Sequence, residues 1–167
     1  GHKKTEVNML TDKPNPIDVI FRRMDTIDKR YTAHPQYEIF LLLEGDVTML
    51  INSQRYMIKN GALVLLSRAN LHISMNNAPR TYKRITVMFD PHAIRQFNTE
   101  HTNLLDCFSI AASKQRNILY LSAEQIQTVQ ILADPILTNG RSDRFGDDIT
   151  VLTSLLSLLI FINRLYR

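Results

Sequence analysis

The chain is predicted to be mainly β: a small antiparallel β-barrel or sandwich followed by C-terminal helices. Three observations predict this class. Between Glu38 and Phe89, short apolar runs recur at close spacing, each bounded by turn residues. From Asp90 onward, capping signals and a 3.6-residue apolar period replace that alternation. The length of 167 residues, with 44% hydrophobic and 22% charged residues, suits one well-filled core and excludes general disorder.

Residues 1–16 are polar, end in Pro14-Asn15-Pro16, and read as an extended arm. The opening Gly1-His2 looks like a tag remnant. Asp18 to Met24 is β-rich and is the first expected strand, and Tyr31 to His34 enters the next. Pro35 predicts a bend there, because proline cannot donate to a central ladder. Glu38 to Glu44 is apolar on both faces, so both faces must be covered. Gly45-Asp46 turns the chain into Val47–Ile51, and Asn52-Ser53-Gln54 turns it again into Arg55–Ile58. Lys59-Asn60-Gly61 is a third turn, followed by strands at Ala62–Leu66, Leu71–Met75 and Tyr82–Phe89.

The helical signals start at Asp90-Pro91, an N-cap with proline at the first helical position, which opens a short helix through Phe97. Ile118 to Leu121 reads as a last strand. Ser122 and Gln125 form a capping box for a helix with Ile126, Val129, Ala133 and Ile136 on one face, a kink at Pro135 and an end near Gly140. Asp147 or Asp148 is expected to cap the final helix. The domain division that follows is an arm over 1–16, a β unit over 17–121 and a helical segment over 122–167.

Composition narrows the function classes. The net charge of +4 is spread along the chain, with Lys3-Lys4, Arg22-Arg23 and Lys83-Arg84 as pairs and not a dense patch, so this segment itself is not read as a nucleic-acid binder. The single cysteine, Cys107, excludes an internal disulfide and fits a reducing, cytoplasmic setting. Its apolar neighbours mark it as a core residue and not a nucleophile. Ile149 to Ile162 is shorter than a membrane span and carries Thr150, Thr153, Ser154 and Ser157, which argues for a buried helix and no membrane.

Two spaced motifs carry a resemblance. His34, Glu38 and Gly45 form the first; Gly61, Ser67, Ala69, His72 and Asn76 form the second. Together, over about residues 17–90, they resemble the paired signatures of cupins, although Ser67 and Ala69 stand where that family usually has proline and glycine. With an N-terminal arm and C-terminal helices added, the chain resembles the N-terminal effector-binding and dimerisation domain of AraC-family transcriptional regulators. The resemblance implies a cupin-like barrel (a double-stranded β-helix) that binds a small effector such as a sugar or small organic acid. It also implies a homodimer and a separate helix-turn-helix module, expected after residue 167, through which alone DNA would be contacted.

Cupin enzymes hold a divalent metal through histidines and a glutamate. Here Thr32 occupies the first histidine position, leaving His34, Glu38 and His72 as a set of three. Positions four apart on a straight strand are ~13 Å apart, so His34 and Glu38 converge only if Pro35 bends the chain. Loss of the first ligand favours a protein without cofactor or metal over the alternative, a metal-dependent cupin dioxygenase or isomerase.

The candidate effector contacts follow from strand parity. With Glu38 inward, Phe40, Leu42 and nominally Glu44 are inward too; motif registration adds His34, His72 and Ser74. On the closing strand Arg84, Thr86 and Met88 form one parity and Lys83, Ile85 and Val87 the other, and the first is taken as inward, with a slip of one residue as the alternative. Arg84 brings five donors suited to a carboxylate or to sugar hydroxyls, and pairing with Glu38 or Glu44 is the competing reading. Tyr82 is a further candidate. For dimerisation, Leu152, Leu155, Leu159, Ile162 and Tyr166 form a seam at near-heptad spacing.

Overall fold

The computed structural model describes residues 19–20 and 36–167, apart from 68, 69, 71, 78–81 and 141. His34, Pro35, the arm over 1–16 and the second expected strand lie outside the described residues. The elements are β1 (Val19–Ile20), β2 (Tyr37–Glu44), β3 (Val47–Ile51), β4 (Gln54–Ile58), β5 (Ala62–Leu66), β6 (His72–Asn76), β7 (Lys83–Phe89), α1 (Pro91–Arg95), α2 (Asp106–Ser113), β8 (Ile118–Tyr120), α3 (Ala123–Asn139) and α4 (Asp147–Leu165).

The strands form two antiparallel sheets, β1-β7-β2-β5-β8 and β4-β3-β6. Among the described residues they do not close into the expected barrel; they stack as a sandwich. The chain changes sheets at glycine turns. Gly45, at φ +151°, passes the chain from β2 in one sheet to β3 in the other. Gly61, at φ +89°, returns it, and its N–H donates to Leu42 O at 2.7 Å. The class is also mixed and not mainly β, since α3 and α4 alone contribute 17 and 19 residues.

β2 lies at the centre of the larger sheet and is covered on both faces, as its apolar run requires. Ile39 and Leu41 face the helices with Leu63, Leu65, Ile85, Val87 and Phe89. Phe40 and Leu42 face the smaller sheet with Ala62, Val64 and Leu66, and meet Val47, Met49, Ile51 and Ile58. Each fully buried Leu, Ile or Phe here stabilises by roughly 1.5–3 kcal/mol before entropic offsets. Tyr37, Phe89 and Phe108 tie the sheet to α2, with ring centroids 4.8–6.0 Å apart.

Several helix ends follow their caps. Asp90 Oδ1 accepts from His92 N at 2.9 Å with Pro91 at the start of α1. The capping box of α3 is complete: Gln125 N donates to Ser122 Oγ, and Ser122 N donates to Gln125 Oε1. The N-cap of α4 differs from expectation. It is Gly146, at φ +87°, because Asp147 instead accepts from Arg144 Nε and Nη2 at 3.3 and 3.1 Å.

α2 has no sequence signal. Its N-cap, Leu105, makes no side-chain bond. The helix start is held from afar: Cys107 N donates to Asn163 Oδ1 on α4 at 2.9 Å, and Asn163 Nδ2 donates to Leu104 O and Leu159 O, both at 2.8 Å.

The expected dimer seam is corrected by the packing of α4. Leu155, Leu159, Ile162 and Tyr166 are buried in the chain's own core, at 1%, 0%, 0% and 6% exposure, so they are not a surface offered to a second copy; Leu152 is half-buried. A 3,4 seam records only that a helix has an apolar stripe, and here the larger sheet and its helices cover it. α4 is also the described helix that is long and apolar enough to cross a membrane by length and composition alone.

Candidate functional site

The inter-sheet layer can be read as rows across β7, β2 and β5. Met88, Glu38 and Leu66 form one row, Thr86, Phe40 and Val64 the next, and Arg84 stands opposite Leu42 in the third. Because directly opposed residues share a face, Glu38, Phe40, Leu42, Arg84 and Thr86 all point between the sheets. From the opposing sheet, His72 and Ser74 pair with Ile51 and Met49, two inward core residues, so they share that side.

Two polar pairs result. Glu38 Oε2 and His72 Nε2 meet at 3.5 Å, with side chains 13% and 10% exposed. This contact joins Glu38 of the first motif to His72 of the second, across the gap between the sheets. Arg84 takes neither expected acidic partner. Glu44 meets Lys83 Nζ at 3.5 Å, Glu38 meets His72, and the Arg84 guanidinium lies over the Tyr82 ring, 4.7 Å from its centroid.

Tyr82 is buried at its tip, and its Oη has no hydrogen-bond partner. Burial raises its phenol above the ordinary tyrosine range, against the lowering field of Arg84 and with the raising field of Glu38, so it is a neutral donor at physiological pH. Gly45 makes room for this ring: a Cβ there would stand 3.2 Å from Tyr82 Cδ2 and 3.3 Å from Leu42 Cδ1.

The loop leading into His72 is built by asparagines that sequence reasoning passed over. Asn70 Oδ1 accepts from Ser67 N at 3.0 Å and from Ser67 Oγ at 3.2 Å. Asn117 Nδ2 reaches Asn70 Oδ1 at 3.3 Å and Leu65 O at 2.8 Å. Asn60 Oδ1 accepts from Gly45 N at 2.9 Å. The Asn70 bonds fasten the chain at Ser67, where a cupin motif would place proline, and the Asn60 bond holds the turn at Gly45. Asn60 and Asn70 lie beside turn signals in the sequence, whereas nothing near Asn117 announces its role.

A metal set needs a third donor besides Glu38 and His72. Among the described residues no group of three His, Cys, Asp or Glu side chains gathers, and His34 lies outside them. Two donors facing each other fall short of the three-ligand arrangement that the motif reading offered. Cys107 is fully buried, and burial pushes its thiol up to about 12, so it is no nucleophile in the folded chain. A groove of about 370 Å³ is lined by Thr48, Leu50, Arg55, Met57, Ile73 and Met75, which alternate with the inward residues of the smaller sheet, and also reaches Ser74.

No protein-family model and no curated protein matches the chain. Among solved structures, the apo form of a ToxT variant from Vibrio cholerae is 13% identical, with a TM-score of 0.50 over 89% of this chain and 56% of that one. Another ToxT crystal form is 12% identical, with a TM-score of 0.43 over 84% and 49%. The plu4264 protein of Photorhabdus luminescens is 23% identical, with a TM-score of 0.36 over 47% of this chain and 63% of its own. The chain therefore spans about half the length of the ToxT chains it resembles. What it shares with the ToxT variant is a fold, followed over most of its own length.

Proposed function

We propose that the chain is the effector-sensing and dimerisation domain of an AraC-type transcriptional regulator, and that it controls a separate helix-turn-helix module in the cytoplasm. The observation that carries this reading is the two polar pairs, Glu38 with His72 and Arg84 with Tyr82, turned into an otherwise apolar inter-sheet layer. Buried polar groups lower stability unless they are satisfied, and recognition of a ligand is a reason to hold them there. The fold likeness to ToxT, an AraC-family regulator, supports the same reading. Phe40, Leu42, Ser74 and Thr86 complete the proposed contact set.

Dimerisation moves to the other side of α4. Ile149 and Ile160, 54% and 38% exposed, share a face with Thr153 and the half-buried Leu156 at helical spacing. A second copy of the same helix is the proposed occupant, because a homodimer axis sets one apolar stripe against its equal. Light scattering on the eluting peak should give a dimer mass. Ile160→Glu should shift it to monomer without unfolding the domain, and a wild-type monomer at high concentration would refute the dimer.

The juxtaposition of Glu38 with His72 favours a second reading, a metal-dependent cupin enzyme with His34 as third ligand. Metal analysis of protein purified without chelator separates the two. Stoichiometric iron, zinc or manganese that is lost in His72→Ala selects the enzyme.

A further inference from the structure

The helices, the five-stranded sheet and the three-stranded sheet stack in that order. Phe145 stands in the link between α3 and α4, at the end of the helix layer, and no large apolar side chain among the described residues is more exposed. Its place is fixed by two turns. Ser142 N donates to Asn139 O at 3.1 Å, Arg144 N to Ser142 Oγ at 3.2 Å and Asp147 N to Arg144 O at 3.1 Å, while the Arg144 side chain pairs with Asp147. Gly146, at φ +87°, then leads into α4. On the other side of the molecule, the outward rows Arg55-Leu50-Ile73 and Met57-Thr48-Met75 of the smaller sheet line the groove of about 370 Å³. Met57 and Met75 are exposed there, and Arg55 is the charged member of the two rows.

We propose that this groove receives Phe145 of a second copy, so that copies associate head to tail. The inference goes beyond the sensing reading and does not depend on it. Both sheets lie between the ring and the groove of one copy, at roughly 10 Å per packed layer, so a chain's own Phe145 does not reach its own groove. The lining suits a phenyl ring, because methionine thioethers and a guanidinium are both favourable neighbours of an aromatic side chain. Charge agrees as well. Asp148, exposed and three residues beyond Phe145, brings a carboxylate beside the ring, and Arg55 brings the cation beside the groove. The two turns hold the ring out before any partner arrives, which lowers the ordering cost of docking. Ring and groove lie on opposite layers, so one partner does not fill both at once. The contact is therefore heterologous and, unlike pairing through α4, continues past two copies.

The test is light scattering and sedimentation of the purified chain at rising concentration. The mass should keep growing beyond a dimer, and in Ile160→Glu, where the α4 face is spoiled, it should still grow beyond a monomer. Phe145→Ser should weaken this growth at least about tenfold, and so should Met57→Glu combined with Met75→Glu. Mixing those two variants, each with Ile160→Glu, should give a one-to-one complex that grows no further, because one keeps its groove and the other its ring. Arg55→Glu should weaken the growth, and Asp148→Arg in the same chain should restore it. The chain has no tryptophan, so Phe145→Trp reports alone. Its emission should shift to the blue when Phe145→Ser chain is added, and stay put when the chain with Met57→Glu and Met75→Glu is added. A mass that stops at the dimer overturns head-to-tail docking and leaves the α4 dimer standing. Growth unmoved by Phe145→Ser, or the absence of a one-to-one complex in the mixture, overturns the docking as well. Growth abolished alike by Ile160→Glu and Phe145→Ser assigns Phe145 to the α4 face and overturns it too. A monomer at every concentration overturns both the docking and the dimer.

Discussion

On the helix side of the five-stranded sheet, Ile39, Leu41, Leu63, Leu65 and Val87 meet α2, α3 and α4 in a layer dominated by apolar side chains. On its other side, Phe40, Leu42, Val64 and Leu66 share their layer with Glu38, His72, Arg84 and Tyr82. The same strands build both layers, and only side-chain parity separates them. The helix side is suited to cohesion, since close packing penalises any loss of volume. The inter-sheet side gives up some cohesion to hold polar groups, which in the proposed reading are the ones that choose a ligand.

That contrast can be broken from either side. Leu159→Ala, at a position with 0% exposure on the helix side, should cost about 2–5 kcal/mol in urea unfolding. Phe40→Leu on the inter-sheet side should cost distinctly less while changing ligand affinity. If the two rank the other way, the assignment of tasks to faces is wrong. Gly61→Ala tests the turn that carries the chain between the sheets. Its φ of +89° and a Cβ 3.3 Å from Leu121 O should cost about 1–3 kcal/mol, read as a lower midpoint in thermal melting.

Smaller effects sharpen the helix side. Tyr166 Oη donates to Arg116 O at 2.7 Å, so Tyr166→Phe should lose about 1 kcal/mol with no change in oligomeric state. The smallest effect concerns acid. Hydrogen bonds from Ser142 and then Arg144 hold the Asp147 carboxyl below the ordinary range. A depressed carboxylate contributes stability above its unfolded pKa and loses it as pH falls through the folded one. Asp147→Asn should therefore flatten the acid limb of a stability–pH curve and leave its slope unchanged above about pH 5.

Much of the fold was legible because it is written locally. The turns at Gly45 and Gly61, the two-faced apolar run of β2, the proline-led start of α1 and the capping box of α3 each depend on residues within a few positions. α2 was not legible, because its start is satisfied by Asn163, 56 residues away, and not by a local cap. At the site, the register sets Glu38, Phe40, Leu42, Arg84 and Thr86 on one side as parity grouped them, but Glu44, nominally in the same set, is carried out of step by the irregularity between Leu42 and Glu44 and pairs with Lys83. It could not decide whether Arg84 would meet Glu38, Glu44 or neither, since that depends on which cation reaches each carboxylate first in space.

The amino-acid order by itself determined the strand series, the helix starts at Asp90 and Ser122 and the alternation of faces along β2, because backbone geometry repeats every two or 3.6 residues and makes those properties local; which parity of β7 turns inward came from its register on β2. Tertiary structure alone decided that the sheets stack as a sandwich, that the α4 seam is covered by the chain's own sheet and helices, and that His72 takes Glu38 while Arg84 is left over Tyr82. Those outcomes are choices among partners distant in sequence, and a periodic pattern names a face without naming what lies against it.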